Sequence, residues 1–250
     1  MHGMRPKKRL WRGEERARTL LGKRHPRRVL PHARSAAVLR LTSIMSDELF
    51  EAIDQHDSKR VETLLSAGAD PNAALSRPPQ WTPLGAAIEE LEFGGPVAAV
   101  RLLVTHGADV NQPYVGTKLT PLHAAMFSEN IEVIELLLDA GANPNALSDE
   151  DRSPLRFAVE RDALSMAALL LRHGASATIN DSGGFCGETA LGMAARKANV
   201  AMIQLLLEAG ASVTAKDSDG RTALDHLPPR STLDSQTWNV AMELLVGLKR

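Results

Sequence analysis

Short apolar stretches along the chain come in pairs, and the second stretch of each pair ends at a glycine. The clearest pair is 119–127 followed by 131–141. In its second stretch Ile131, Ile134, Leu137 and Leu138 recur at helical spacing and form one apolar face. The pattern predicts two helices joined by a tight turn.

The ends of this pair carry residues typical of helix boundaries. Thr120 is a favourable N-cap because its hydroxyl accepts an N–H of the first turn, and Pro121 falls at the first helical position, where its missing N–H costs nothing. Glu129-Asn130 interrupts the apolar pattern, and Asn tolerates a left-handed backbone. Gly141 lies where a helix C-terminus favours positive φ.

The same arrangement recurs at nearly constant spacing. The opening Thr or Ser and the closing Gly are equally far apart at 120–141, 153–174 and 189–210, whereas 82–107 contains an insertion. The same spacing counted back from Gly68 reaches Asp47, which predicts an N-cap there, or at Ser46 if translation starts at Met45. The five openings, which recur roughly every 33 residues or slightly more, are Thr82, Thr120, Ser153, Thr189 and Thr222.

A period of about 33 residues with Thr-Pro-Leu-His-x-Ala at 120–125 is the signature of ankyrin repeats, which the chain resembles from about Ser46 to Leu248. The resemblance implies an all-α repeat solenoid of stacked helix–turn–helix repeats with β-hairpin fingers and a concave protein-binding face. It divides the chain into a basic leader, 1–45, and a domain of six repeats at 46–75, 76–113, 114–147, 148–180, 181–216 and 217–250. Pro228-Pro229 is expected to cut the last inner helix short, before a final amphipathic capping helix.

Composition adds limits on the environment of the protein. Aromatic residues make up 4% of the chain, which suits close stacking of helices with small side chains. The one cysteine, Cys186, excludes an intrachain disulfide and a cysteine-based zinc site. It favours a reducing, intracellular location, expected to be the cytoplasm. No run of apolar residues in the sequence is long enough to predict a transmembrane helix.

The net charge of −1 hides an asymmetry between the two segments. Residues 1–45 carry 13 Lys and Arg against two acids, whereas 46–250 carry 16 against 28. Such a basic tail suits phosphates on nucleic acid or an anionic membrane, or an Arg-rich organelle transit peptide. The simpler interpretation is a start at Met45, with 1–44 a disordered leader or a mis-assigned start.

Motifs for catalysis, nucleotide binding and metal binding are missing from the sequence, including G-x-G-x-x-G, H-E-x-x-H, C-x-x-C and G-x-S-x-G. Cys186 has no His neighbour to activate it. In the resembled family, a His at the position of His123 hydrogen-bonds across the repeat turns, which implies a structural role. We therefore expect a monomeric, non-enzymatic protein without cofactor, metal or small-molecule substrate, whose partner is another protein.

The resemblance implies partner contacts at the finger tips and the exposed ends of the inner helices. The candidates at those positions are Trp81, Glu89, Glu90, Tyr114, Lys118, Phe127, Arg152, Glu160, Arg161, Phe185, Arg196, Lys197 and Arg221. Aromatic and Arg residues dominate interface energies, which favours Trp81, Tyr114, Phe127 and Arg161. Phe127 is equally suited to fill a gap between repeats. Two lengthened fingers, and the insertion at 92–96, lie near these positions and suit either a binding loop or neutral drift.

The lack of apolar periodicity in residues 1–44 predicts that they are dispensable for folding. A chain that starts at Met45 should melt at the same temperature as the full chain, measured by circular dichroism. A loss of several degrees in the shorter chain would show that the leader contributes to the folded domain.

Overall fold

The computed structural model describes residues 36–74, 81–183 and 187–247, with backbone alone for 36–43. These residues contain short α-helices and 3-10 turns and no β-strand. The α-helices are α1 (Ala36–Asp54), α2 (Ser58–Ser66), α3 (Pro83–Glu90), α4 (Val97–Thr105), α5 (Pro121–Phe127), α6 (Ile131–Asp139), α7 (Pro154–Glu160), α8 (Leu164–Arg172), α9 (Ala190–Arg196), α10 (Val200–Glu208) and α11 (Ser235–Val246).

The helices α3 and α4, α5 and α6, α7 and α8, and α9 and α10 pack as pairs, one pair for each of the predicted repeats two to five. The first helices α3, α5, α7 and α9 pack on one another in chain order, and the second helices pack on one another likewise. The structure therefore has a first-helix layer and a second-helix layer. No helix within the described ranges is long and apolar enough to cross a membrane.

The turns of each pair follow the predicted chemistry, with one correction. Gly141 has a φ of 89°, as predicted for a helix C-terminus, and the closing glycines of the other repeats match it. Within the turn at 129–130, however, the left-handed residue is Glu129, with a φ of 52°. Asn130 is instead the N-cap of α6, where its side-chain oxygen accepts the N–H of Val133 at 3.2 Å.

The predicted start of the first helix at Ser46 or Asp47 is wrong. Helix α1 begins at Ala36 and runs through both residues without a break. The segment 36–40, Ala-Ala-Val-Leu-Arg, contains good helix formers and no Gly or Pro, so nothing stops the helix there. Two compact units divide the chain between Arg40 and Leu41, and of the first unit only the opening of α1 is described.

The predicted β-hairpin fingers are simple turns in the described residues. One backbone hydrogen bond closes each, from Tyr114 N to the Leu119 oxygen at 2.8 Å, from Ser148 N to Arg152 at 3.1 Å, and from Asp217 N to Arg221 at 2.9 Å. A strand needs a continued ladder of such bonds, and these fingers reverse direction before a second pair forms.

Asparagine side chains shortly after the closing glycines tie the first four repeats together. Asn111 donates from Nδ2 to the Gly141 oxygen at 2.9 Å, and its Oδ1 accepts the Asn143 N–H at 2.8 Å. Asn72 bonds Gly107 and Asp109 in the same way, at 3.0 and 2.7 Å. Asn145 keeps the donor bond, to Gly174 at 2.8 Å. This Asn recurs in the closing motif, but sequence reasoning did not identify its role in linking successive repeats.

A second junction between repeats lies at the third helical residue of each first helix. In repeats three and four this residue is itself large, His123 or Arg156, and both side chains are buried. The Arg156 guanidinium donates to the backbone carbonyls of Asp181, Gly183 and Glu188 in the next finger. One side chain thereby satisfies three carbonyls of this finger.

In repeats two and five the third helical residue is glycine, and a ring from the following repeat takes the space. A Cβ added to Gly85 would lie 2.7 Å from Cε1 of Tyr114. A Cβ added to Gly192 would lie 3.2 Å from Cδ2 of His226. These glycines therefore let the ring of the following repeat approach the helix backbone closely. Each of these four junctions thus holds one large polar side chain, supplied either by the first helix itself or by the following repeat.

The sixth repeat is truncated, as the sequence predicted. Its inner helix is a 3-10 turn, Leu224–His226, which ends before Pro228-Pro229. Helix α11 follows, packs on α10 and ends at Gly247, with Ala241 and Leu245 buried. The predicted contribution of Leu248 to this cap lies outside the described residues.

Leu137→Ala should lower the free energy of unfolding by about 2–5 kcal/mol, the range for a fully buried leucine. Leu137 is 0% exposed in the middle of the second-helix layer. Chemical denaturation followed by circular dichroism measures the change. A loss below about 1 kcal/mol is typical of a surface site and would contradict this packing.

His123 should make the domain less stable as the pH falls. Burial lowers the pKa of His123, although the nearby carbonyls of Ala146 and Arg152 partly oppose this effect. The unfolded ring protonates near pH 6.5, so below about that pH the unfolded state binds more protons than the folded state and gains stability. Folding stability is then retained at higher pH and lost as the pH drops from about 7.5 towards 5.5.

The matched variant is His123→Asn, which keeps an acceptor near the Thr120 N–H that His123 Nδ1 accepts at 3.2 Å. The difference in unfolding free energy between the two proteins, measured by denaturation at several pH values, should shrink as the pH falls. A difference that stays constant with pH would mean that His123 titrates alike in both states.

Candidate protein-docking face

The predicted contact residues at the ends of the first helices share one repeat register. Counting from each N-cap, they occupy the seventh and eighth positions that follow, at the ends of α3, α5, α7 and α9. In repeats four and five the residue immediately before the N-cap contacts the seventh position, as shown by Arg152 Nη1 and Glu160 Oε2, 3.1 Å apart. We call this row, with the adjoining finger residues, the docking face.

Most charged candidates on the docking face are paired within the chain. Arg161 meets Glu129 at 2.9 Å, and Lys197 meets Asp162 at 2.7 Å, so these pairs link the helix turn of one repeat to the first helix of the next. Glu90 lies 3.2 Å from His56 in a similar position. The remaining pairs are Lys118 with Asp151, Arg152 with Glu150 and Glu160, Arg196 with Glu188, and Arg221 with Asp217 and Asp219.

These ion pairs orient the side chains without making them inaccessible. The side chains of Arg161 and Arg196 remain 48% and 49% exposed, and Glu129, the partner of Arg161, is exposed too, whereas Glu188, the partner of Arg196, is buried. An exposed pair such as Arg161 with Glu129 contributes only about 0–1 kcal/mol. A partner can therefore take over such a charge at little cost, and meets a side chain that is already ordered.

The middle of the docking face is an aromatic cluster with an arginine on it. The rings of Phe127 and Phe157 are 4.9 Å apart and inclined at 80°, an edge-to-face contact. The Arg161 guanidinium carbon lies 5.2 Å from the centre of the Phe157 ring, within the range of a cation–π interaction. Phe127 is partly buried against the core, so it fills a gap between repeats while part of its side chain stays exposed.

Sequence reasoning missed Phe157 and the anionic partners Glu129 and Asp162. Phe157 follows its N-cap at the position where repeats two and three have Ala86 and Ala124, so the larger ring was a detectable departure from the pattern. The two acids lie at left-handed turn positions. Their charge was visible, but their partners become apparent only when successive repeats are stacked.

Near repeat six, Arg221 belongs to a buried polar cluster. Asp217 is 2% exposed in its side chain and accepts His226 Nε2 at 2.7 Å. Burial alone raises the pKa of Asp217, but hydrogen bonds from the Arg221 backbone, His226 and the Asp219 backbone outweigh it and hold the pKa at about 2. This arrangement gives Arg221 a structural role besides its predicted one in docking.

The predicted finger residues have different surroundings. Trp81 and Tyr114 are partly buried against the core, and Lys118 is exposed. Glu89 is partly buried at the end of α3. Phe185 lies outside the described residues, as does Cys186. Within the part of the chain that the structure describes, no group of three His, Cys, Asp or Glu residues could hold a metal ion.

Comparison with known proteins identifies the family. The family model for ankyrin repeats in three copies matches residues 49–148, 93–181 and 155–231. The chain belongs to the ankyrin-repeat family, whose repeats are protein–protein interaction modules.

Two solved structures illustrate the fold. The ankyrin repeat domain of Bcl-3 is 27% identical with a TM-score of 0.65, over 82% of this chain and 92% of that one. A chain in the complex of the predatory endopeptidase Bd0816 from Bdellovibrio bacteriovorus with immunity protein Bd3460 is 28% identical with a TM-score of 0.60, over 79% and 98%.

Curated relatives match over shorter stretches of much longer proteins. The E3 ubiquitin-protein ligase KEG of Arabidopsis thaliana is 34% identical over 101 residues, which is 40% of this chain and 6% of KEG. The human neurogenic locus notch homolog protein 4 is 34% identical over 158 residues, which is 52% of this chain and 8% of that protein. The chain thus spans less than a tenth of the length of either relative.

Proposed function

We propose that this protein is a docking module that binds a protein partner on the docking face of repeats two to five. The observation that carries the proposal is the pair Phe127 and Arg161 at the centre of that face, both in contact with the buried ring of Phe157. Aromatic residues and arginine supply most hot spots at protein interfaces. Here they are held in place by the edge-to-face ring contact, the cation–π contact and the ion pair to Glu129, so little side-chain entropy is lost on binding.

The family supports the same conclusion. Ankyrin repeats are interaction modules, and one similar chain comes from a complex between an endopeptidase and an immunity protein. The single cysteine still favours a reducing, intracellular setting for the partner.

A pull-down from native lysate, with the full chain as bait, should identify the partner. Arg161→Ala and Trp81→Ala should then each weaken its binding by about 1 kcal/mol or more, because each removes a large contact side chain from the docking face. Binding is measured by isothermal titration calorimetry, and circular dichroism checks that the helical signal is unchanged.

The controls are Glu132→Ala and Gln204→Ala, two exposed positions of the second-helix layer. They should leave affinity unchanged within error. If these two variants abolished binding while the docking-face variants bound normally, the partner would occupy the opposite layer and the proposal would be wrong.

The alternative function is association with nucleic acid or an anionic membrane through residues 1–45. Its support is the basic composition of that segment, 13 Lys and Arg against two acids. Mass-spectrometric mapping of the native N-terminus decides whether the segment is present in the protein. Binding to nucleic acid that required residues 1–44, without any protein partner, would replace the docking proposal.

A further inference from the structure

Two positions form a pair on the docking face in repeats four and five, and repeats two and three have residues at the same places. The first is the residue immediately before the N-cap, which we call the pre-cap position, and the second is the residue seven places after the N-cap, the helix-end position. In repeat four they hold Arg152 and Glu160, 3.1 Å apart. In repeat five they hold Glu188 and Arg196, also 3.1 Å apart but with the charges reversed.

The remaining repeats show what else these positions accept. Repeat three has Leu119 and Phe127, an apolar pair. Repeat two has Trp81 and Glu89, so its helix-end carboxylate has an aromatic ring where repeat four supplies an arginine. Glu89 makes no ion pair or hydrogen bond with residues of the described ranges, unlike its counterparts Glu160 and Arg196.

The surroundings of Glu89 favour a cation. Burial raises the pKa of Glu89, and the charges of Glu92 and Glu90 raise it further. Glu89 and Glu90 end α3, and Glu92 lies on the 3-10 turn Leu91–Phe93 that follows. Three carboxylates thus occur close together in the chain, and the negative charge at Glu89 is not neutralised by a pre-cap cation.

A buried hydroxyl lies within electrostatic range of the same carboxylate. The Tyr114 ring fills the space over Gly85, one helical turn before Glu89. Its hydroxyl is buried and has no hydrogen-bond partner among residues 36–74, 81–183 and 187–247. Burial raises the pKa of Tyr114 well above its ordinary value, and the Glu89 charge contributes to the shift. A buried polar group without a partner is costly, and this one can accept an N–H.

We propose that Trp81, Glu89 and Tyr114 form a socket for one arginine or lysine side chain of the protein partner. The bound cation occupies the place that Arg152 takes in repeat four, pairing with the Glu89 carboxylate while its flat or alkyl part covers the Trp81 ring. The chain itself uses this contact, with Arg161 over Phe157 at 5.2 Å and Arg230 over Trp238 at 5.4 Å. The inference rests on the proposed docking function. It adds that the partner presents a positively charged side chain at the repeat-two end of the docking face.

The test uses the full-length protein and a small probe, N-acetyl-arginine amide, with N-acetyl-citrulline amide as its neutral isostere. Titration is followed by NMR at the Trp81 indole N–H and the Glu89 side-chain carboxyl carbon. The arginine probe should give saturating shifts at both groups, and the citrulline probe should not. Glu89→Gln should weaken the arginine probe about tenfold or more, as expected for loss of a charge-assisted bond.

The matched control is Glu160→Gln, the same substitution at the helix-end position of repeat four, where Arg152 already supplies the cation. It should leave the titration at Trp81 unchanged. Equal shifts with both probes, an unchanged titration in Glu89→Gln, or no saturation at Trp81 would each overturn the socket. None of these results depends on the partner, so a failed socket leaves the docking proposal to be decided by Arg161→Ala and the pull-down.

Discussion

An amide side chain that satisfies two backbone groups of the following repeat sets the spacing of the first three repeats. Asn72 and Asn111 each accept one N–H and donate to one closing glycine. First helices such as α3 and α5, of 8 and 7 residues, are too short to be stable alone. They are stabilised by packing within the stack. The Asn hydrogen bonds and the large side chain at the third helical position fix the register of that packing, in which small residues such as Ala125 and Ala158 are buried.

The fixed register also determines the chemistry of the docking face. Because successive turns and helix ends come together at a constant offset, Glu129 meets Arg161 and Asp162 meets Lys197. The face is therefore a row of preformed ion pairs around an aromatic centre. Such a row favours specificity, since a partner has to supply matching charges to replace each internal contact. A charge on the face without an internal partner therefore indicates the opposite charge on the protein that binds there.

Much of the fold follows from local signals in the sequence. Gly141 and its counterparts, the capping Thr and Ser residues, and the short last repeat before Pro228-Pro229 all act within a short piece of chain, so their spacing predicted them. Interactions between repeats were not accessible in this way. The packing of Phe127 against Phe157, and the filling of Gly85 by Tyr114, depend on which side chains of successive repeats meet once the helices are stacked. The absence of strands in the described fingers likewise depends on how many backbone hydrogen bonds form across each finger, which the sequence does not specify.

The junction at the third helical position has a consequence for how such a chain can change length. The space over Gly85 is filled by the ring of Tyr114, and the buried guanidinium of Arg156 donates to the carbonyls of Asp181, Gly183 and Glu188. Each partner lies in the next repeat, so duplication of one finger-to-finger repeat would leave a hole or a clash at its edge. A segment that runs from the start of one first helix through the following finger keeps both partners together. That segment, and not the repeat as usually drawn, is the unit that evolution or an engineer can insert, delete or exchange.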